Sequence, residues 1–238
     1  MPANFLRVFF FLFLFGPLPL AAQSDGVIEQ SVGLEVMAHR GNRRITAGQG
    51  VSFVELERQD SLESGVGGYS FGILYESRVN KIGFTTGVRY LETGYNIDEQ
   101  PFRNEPDRRF SEEVRARYVS VPFELNFHQD ITEKDRVSFM LGLAAHLHLK
   151  TVRNRTTSLD GVNQGTEEIP NDPDISFRSP IVSLNTGIAF DRRLGEKWAL
   201  KVQPNFQFFL QGNQLETINQ TNRNYYQLGV RLVVKRFF

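Results

Sequence analysis

Eight charged residues stand out because each falls within a segment whose immediate neighbours are largely apolar or small: Glu35, Glu76, Arg78, Arg89, Glu124, Lys201, Arg231 and Lys235. An enclosed charge without a partner costs several kcal/mol, so carboxylates and cations placed on one enclosed face predict an ion-paired lumen network. The four histidines, His39, His128, His146 and His148, fall on the same polar parity. His146 and His148 are two residues apart and could share a metal ion, but spacing supplies no third ligand. Ser138 and His128 approach each other near the short-turn end and are a nucleophile and base that a boundary lipid hydrolase or acyltransferase could recruit, but no nucleophile motif surrounds either. The glycines Gly65, Gly67 and Gly68 precede a strand-like segment, which argues against a phosphate cradle. The expectation is a non-enzyme without a metal site or cofactor.

Those charges sit in segments of period two. In Tyr118–His128, Val119, Val121, Phe123, Leu125 and Phe127 alternate with polar residues. Similar alternation runs through 31–39, 69–78, 82–93, 137–150, 181–190, 197–211 and 224–238. Strict alternation is the signature of a strand with one apolar and one polar face. Eight strands are predicted and no amphipathic helix, although Val51–Arg58 has strand character and is expected to extend the sheet.

Connection lengths decide what the strands build. Short links fall around 79–81, 129–136 and 191–197, whereas roughly 40–67, 96–115, 151–179 and 212–223 are long and polar. This alternation is the pattern of an eight-stranded antiparallel up-and-down transmembrane β-barrel, with tight periplasmic turns, long outer loops and both termini periplasmic. A soluble sandwich or lipocalin-like barrel also alternates, but would turn its apolar face inward. Orienting the strands places Tyr75, Phe84, Phe127, Phe139, Phe190, Trp198 and Phe238 at the short-turn end of the apolar face. Tyr69, Tyr90, Phe208 and Tyr226 lie at the other end, so the face has an aromatic belt for each membrane interface. The acidic residues Asp160, Glu167, Glu168, Asp172 and Asp174 match no calcium-loop spacing and read as solvated loop.

Composition agrees with this assignment. The chain has 238 residues, 27 basic and 27 acidic side chains and no cysteine. It therefore carries neither a disulfide framework nor the excess positive charge of a nucleic-acid binder. A mean hydropathy of −0.31 argues against a helical membrane bundle, but barrel strands are apolar only at alternate positions. The apolar run Phe5–Phe15 with Arg7, followed by Pro17, Pro19 and Ala21-Ala22, reads as a signal peptide over residues 1–22. Residues 23–238 are then the barrel domain, destined for the cell outer membrane.

The fourth strand (Tyr118-Val-Ser-Val-Pro-Phe-Glu-Leu-Asn-Phe127), the glycine-containing fifth (Phe139-Met-Leu-Gly-Leu143) and an aromatic C-terminus resemble the PorT-like outer-membrane β-barrel family, a small OmpA/OmpX-like barrel type. Phe238 is similar to the C-terminal signal read by the outer-membrane assembly machinery, although Arg236 departs from that pattern. The resemblance implies a cell-envelope protein in contact with outer-membrane lipid, and an accessory role in protein secretion with other envelope proteins as partners. A structural or partner-binding role is the leading expectation. A small passive porin-like channel and a lipid-modifying enzyme are the alternatives.

Overall fold

The computed structural model describes residues 28–171, 175–215 and 221–238; the expected signal peptide, Asp172 and Asp174 lie outside the described residues. The elements are β1 (Ile28–Ala47), α1 (Phe53–Leu62), β2 (Glu63–Val79), β3 (Ile82–Phe102), β4 (Glu105–Asp130), β5 (Asp135–Leu159), β6 (Val162–Ile169), β7 (Ile181–Arg193), β8 (Trp198–Phe209) and β9 (Thr221–Phe237). Strands β1, β2, β3, β4, β5, β7, β8 and β9 pair antiparallel with their successors, and β9 pairs with β1 to close the ring. β6 stands outside the ring and pairs with β5 alone among the described residues.

The register fixes the width of the ring. Directly paired residues run Val32, Tyr75, Thr86, Phe123, Leu143, Leu184, Phe208, Tyr226 and then Asn42. One circuit thus returns to β1 displaced from position 32 to position 42, a stagger of ten residues. With strands about 4.8 Å apart and a rise of about 3.3 Å per residue, that stagger gives a strand tilt of about 40° and a backbone radius of about 8 Å. Inward side chains meet across such a space.

The wall is polar inside and apolar outside. Leu34, Leu184 and Leu228 point outward with 66%, 39% and 64% of their surface exposed, while Glu35, Asn185 and Gln227 beside them in sequence are buried. A water-soluble monomer rarely exposes so large a contiguous apolar surface. Along β5 the outward residues Phe139, Leu141, Leu143, Leu147 and Leu149 are exposed. They cover a height of about 25 Å at this tilt, which is the height of an outer-membrane apolar band.

Glycines make room for the large inward side chains. Gly72 of β2 lies between Glu35 and Arg89 in one row of paired residues, and Gly142 of β5 is opposite Glu124. A Cβ at Gly72 would collide with the Val88 carbonyl and stand 2.8 Å from Arg89 Cα. Pro122 and Pro204 are accommodated by interruptions of the ladder on one side. The β3–β4 pairing lapses between Thr86–Phe123 and Arg89–Ser120, and the β7–β8 pairing between Gly187–Asn205 and Phe190–Val202. A proline has no amide to donate there.

Two expectations are corrected. The segment 51–58 is not a strand, because α1 occupies Phe53–Leu62. Ser52 caps it by accepting a hydrogen bond from the Glu55 amide at 3.2 Å, and Arg58 donates to Glu55 one turn on at 2.9 Å. The Ser52-x-x-Glu55 capping signal outweighs the β-branched Val51 and Val54. The stretches 96–115 and 151–179 are not mainly loop. β3, β4 and β5 run on beyond the apolar wall, and β6 joins them in a four-stranded extension. Cross-strand charge pairs hold this extension, such as Glu112 with Arg155 at 2.6 Å, so it needs no apolar face. β6 is an additional strand outside the ring, which has the eight strands expected.

Gly72→Leu is expected to lower barrel stability by about 1–3 kcal/mol through overpacking. The urea unfolding midpoint of the refolded chain measures this, and an unchanged midpoint would mean that Gly72 is not a packing site.

Candidate functional site in the barrel lumen

Four strands bring Glu35, Arg89, Glu124 and Arg231 to one point on the barrel axis. Gly72 between β1 and β3 removes the intervening side chain, so Arg89 reaches Glu35 across β2. Arg89 Nε donates to Glu35 Oε1 and Nη2 to Oε2 at 3.0 Å. Arg231 takes Glu124 with two bonds, at 2.9 and 3.0 Å. The pairs are cross-linked by Arg89–Glu124 at 3.6 Å and Arg231–Glu35 at 3.5 Å. All four side chains are at most 2% exposed, and the quartet is neutral. Fork-to-carboxylate geometry makes these among the stronger hydrogen bonds available to a protein.

Toward the short-turn end, Glu76 lies 3.3 Å from Lys201, 3.4 Å from Lys235 and 3.6 Å from His128. Lys235 also reaches Asp191 at 2.6 Å. A void of about 10 Å³ separates this cluster from the quartet, room for about one water molecule. Arg78 does not join either group. It sits at the short-turn mouth with Asp130 at 2.7 Å and Glu29 at 3.3 Å, where Arg136 also binds both carboxylates. Arg78 lies only two residues beyond Glu76 on the same face of β2, so parity alone did not separate the two clusters.

Above the quartet lies an uncharged polar layer. His146 takes Ser120 Oγ on Nδ1 at 2.6 Å and Ser183 Oγ on Nε2 at 2.7 Å, and Gln207 reaches Ser183 at 2.9 Å and accepts from Gln227 at 2.7 Å. The Ser120–His146 contact has the geometry of a nucleophile–base pair, and both residues are fully buried. Ser138 and His128 are directly opposite on β5 and β4, both buried, and no hydrogen bond joins them. His148 instead turns to Thr151 at 2.8 Å and stacks on Phe177 at 4.6 Å. His39 is buried in the lumen between Gly68 and Gly229. Among the described residues no group of three histidine, aspartate or glutamate side chains is arranged to hold a metal ion.

An aromatic plug closes the lumen above that layer. Phe209 stacks on His146 at 4.5 Å and meets Tyr118 at 5.8 Å and Tyr225 at 5.9 Å, and Tyr225 continues to Tyr95 at 6.4 Å. Leu91, Ile181, Val114 and Ala116 fill the remaining space. Sequence reasoning missed this plug, although Tyr118, Phe209 and Tyr225 all share the polar parity of their strands. A further charged group caps it: Glu63 binds Arg43 at 2.9 Å and Arg223 at 3.1 Å, and Arg223 lies over the Tyr95 ring at 4.9 Å.

Outside, Tyr69, Phe71 and Tyr90 stack at one end of the wall, with Phe71–Tyr90 at 5.2 Å. Tyr226 lies on β9 opposite Phe208. At the short-turn end Phe84, Phe127, Phe139, Phe190 and Trp198 are exposed, and Tyr75 is partly so. Arg236 lies 6.0 Å over the Trp198 ring. Phe238 is 74% exposed beyond the end of β9.

No protein-family model matches the chain, and no curated protein matches it. Among solved structures, Neisserial surface protein A is similar over 86% of this chain and 96% of its own, at 12% identity and a TM-score of 0.42. The outer membrane protein AlkL, solved in lipid bilayers, is similar over 91% of this chain and 94% of its own, at 11% identity and a TM-score of 0.44. Ail, the attachment invasion locus protein of Yersinia pestis, is similar over 88% and 99%, at 11% identity and a TM-score of 0.30. The barrel itself is established by its closed strand pairing, independently of these likenesses.

Removing one member of the quartet leaves an unpaired buried charge. Glu35→Ala is expected to cost about 3–5 kcal/mol, and combining it with Arg89→Met to cost less than the sum of the two. A double-mutant cycle in urea measures the difference, and strict additivity would mean that the pair is uncoupled. At the mouth, hydrogen bonds from Arg78 and then Arg136 hold Asp130 at about 2 against an ordinary value of 3.8. A depressed carboxylate stabilises above its unfolded value, so this contribution is whole above about pH 4 and fades as pH falls toward 2. Asp130→Asn should remove that acid-dependent component from a pH series of unfolding midpoints.

Proposed function

We propose that the mature chain is an outer-membrane β-barrel with a side-chain-filled, non-conducting lumen, its termini on the periplasmic side and its strand extension facing outward. The observation that carries this reading is the inverted wall, an apolar band of bilayer height around an interior of paired charges. Its aromatic residues gather at the two ends of that band, where the bilayer interfaces would lie. Ile28 and Phe238 lie at the short-turn mouth, beside Asn80 and Asp130. The alternation of short turns with long excursions supports that orientation.

The molecular task we propose is structural or partner-binding. The extension made by β3, β4, β5 and β6 ends in an edge strand with no partner beyond β5 among the described residues. An unpaired edge offers backbone donors and acceptors to an added strand of another chain. The resemblance to PorT-like barrels narrows the partner to other envelope proteins, including those that export proteins. The chain contacts lipid and is assembled by the outer-membrane machinery; it acts on no nucleic acid and carries out no catalysis.

Planar bilayers test the filled lumen. The refolded chain, verified by a heat-modifiable gel shift, is expected to give no unitary conductance, and a stable open level would replace this reading with a passive channel. Loss of envelope-protein co-purification on replacing β6 by a tight turn, with the gel shift retained, is the expected result for a docking edge. Altered lipid A or phospholipid profiles on overexpression would instead favour a lipid-modifying enzyme.

A further inference from the structure

Most exterior arginines at the outer end are neutralised by carboxylates. Arg117 donates to Glu92 at 2.9 Å, Arg115 to Glu113 at 2.8 Å, and Arg109 lies 3.6 Å from Glu99. Arg40 and Arg44 differ. Both point outward from β1 and are exposed, and among the described residues neither makes an ion pair or a side-chain hydrogen bond. They are four residues apart on one face, about 13 Å along the strand.

Their surroundings are those of a lipid interface. Arg40 is paired on one side with Gly67, which carries no side chain and whose carbonyl accepts a hydrogen bond from Arg115, and on the other with Leu228, which is 64% exposed and itself faces Phe206. Two residues below Arg40, Ala38 is level in the register with Tyr69 of the aromatic belt. The guanidinium of Arg40 therefore emerges where the apolar band ends. Above it, α1 overhangs the wall and encloses an open cleft of about 750 Å³. This cleft is lined by Arg44, Asn42, Tyr226, Phe206 and Phe208 from the barrel and by Leu56 from the helix. Glu57 and Asp60 line the helix side, and Asp60 is drawn to Arg43 at 3.4 Å.

We propose that Arg40 and Arg44 form a binding site for the phosphate-bearing headgroup of an outer-leaflet lipid. The acyl chains lie along Leu228, Val230 and Phe206, and the headgroup enters the cleft under α1. Two observations select this occupant. The site is continuous with the apolar band, so its ligand has an apolar part already in the bilayer. Its two free cations supply fork-shaped donors, which match phosphate oxygens. The site rests on the proposed membrane location, and it adds which lipid chemistry the barrel holds and where.

The test uses the full mature chain in nanodiscs of phosphatidylcholine doped with either bis-phosphorylated or dephosphorylated lipid A. Lipid retained per barrel after mild detergent exchange is counted by mass. The phosphorylated lipid should be retained in preference, and Arg40→Gln with Arg44→Gln should lower that preference roughly 5-fold per arginine. Arg40→Lys with Arg44→Lys should keep most of it, and Arg236→Gln at the opposite end should leave it unchanged. Equal retention of the two lipids, or a preference unaffected by the double glutamine variant, overturns the site. Displacement of the lipid by millimolar inorganic phosphate would overturn it too, in favour of a soluble-anion site. Absence of a heat-modifiable shift would instead overturn the membrane barrel, so the two failures are distinguishable.

Discussion

The closure of eight strands with a ten-residue stagger is the constraint from which the rest of this structure follows. It sets a backbone radius of about 8 Å, less than two long side chains end to end. The interior is not solvated as a wide pore would be, so each inward charge must find an opposite charge. The Glu35–Arg89–Glu124–Arg231 quartet meets that demand with two forks on two carboxylates. Glycines on the intervening strands let the side chains meet, since a Cβ at Gly72 or Gly142 would touch neighbouring backbone. Small and large inward residues are thus complementary across neighbouring strands, as the taper of a small barrel requires.

The same closure orders the lumen from end to end. Charged clusters occupy the short-turn mouth and the middle, an amide and histidine layer follows, and the aromatic plug with its Glu63 cap finishes the opposite end. Each layer excludes water from the next, which strengthens the interactions within it. The serine and histidine pairs therefore lie in the packed interior of the barrel.

Beyond the apolar band the physics changes. The strands continue as β3, β4, β5 and β6 with charged residues on both faces, held by backbone ladders and pairs such as Glu112 with Arg153 at 2.6 Å. Their sequences look like loops because a hydropathy pattern reports burial, and these strands bury little. The helix α1 was hidden for a related reason. It has no buried residue and no apolar stripe, so only the local capping chemistry of Ser52 and Glu55 marked it.

The sequence by itself determined the strands within the apolar band, their inward and outward faces and the even strand count, because period-two alternation is a local property of the chain. Parity alone put Glu35, Glu76, Arg89, Glu124, Lys201, Arg231 and Lys235 on one face, and it grouped Arg78 with them. Tyr118, Phe209 and Tyr225 also carried that parity, but aromatic residues on a polar face had no local signal to distinguish a plug from a misplaced belt. Only the tertiary structure decided which charges share a cluster. That depends on the stagger between strands: Glu35 meets Arg89 across Gly72 and Arg231 across the closing pair, at sequence separations where no periodicity reaches. Arg78 falls to the short-turn mouth and Arg40 and Arg44 emerge at the opposite rim for the same reason, since height in a tilted barrel is set by register and not by position along one strand.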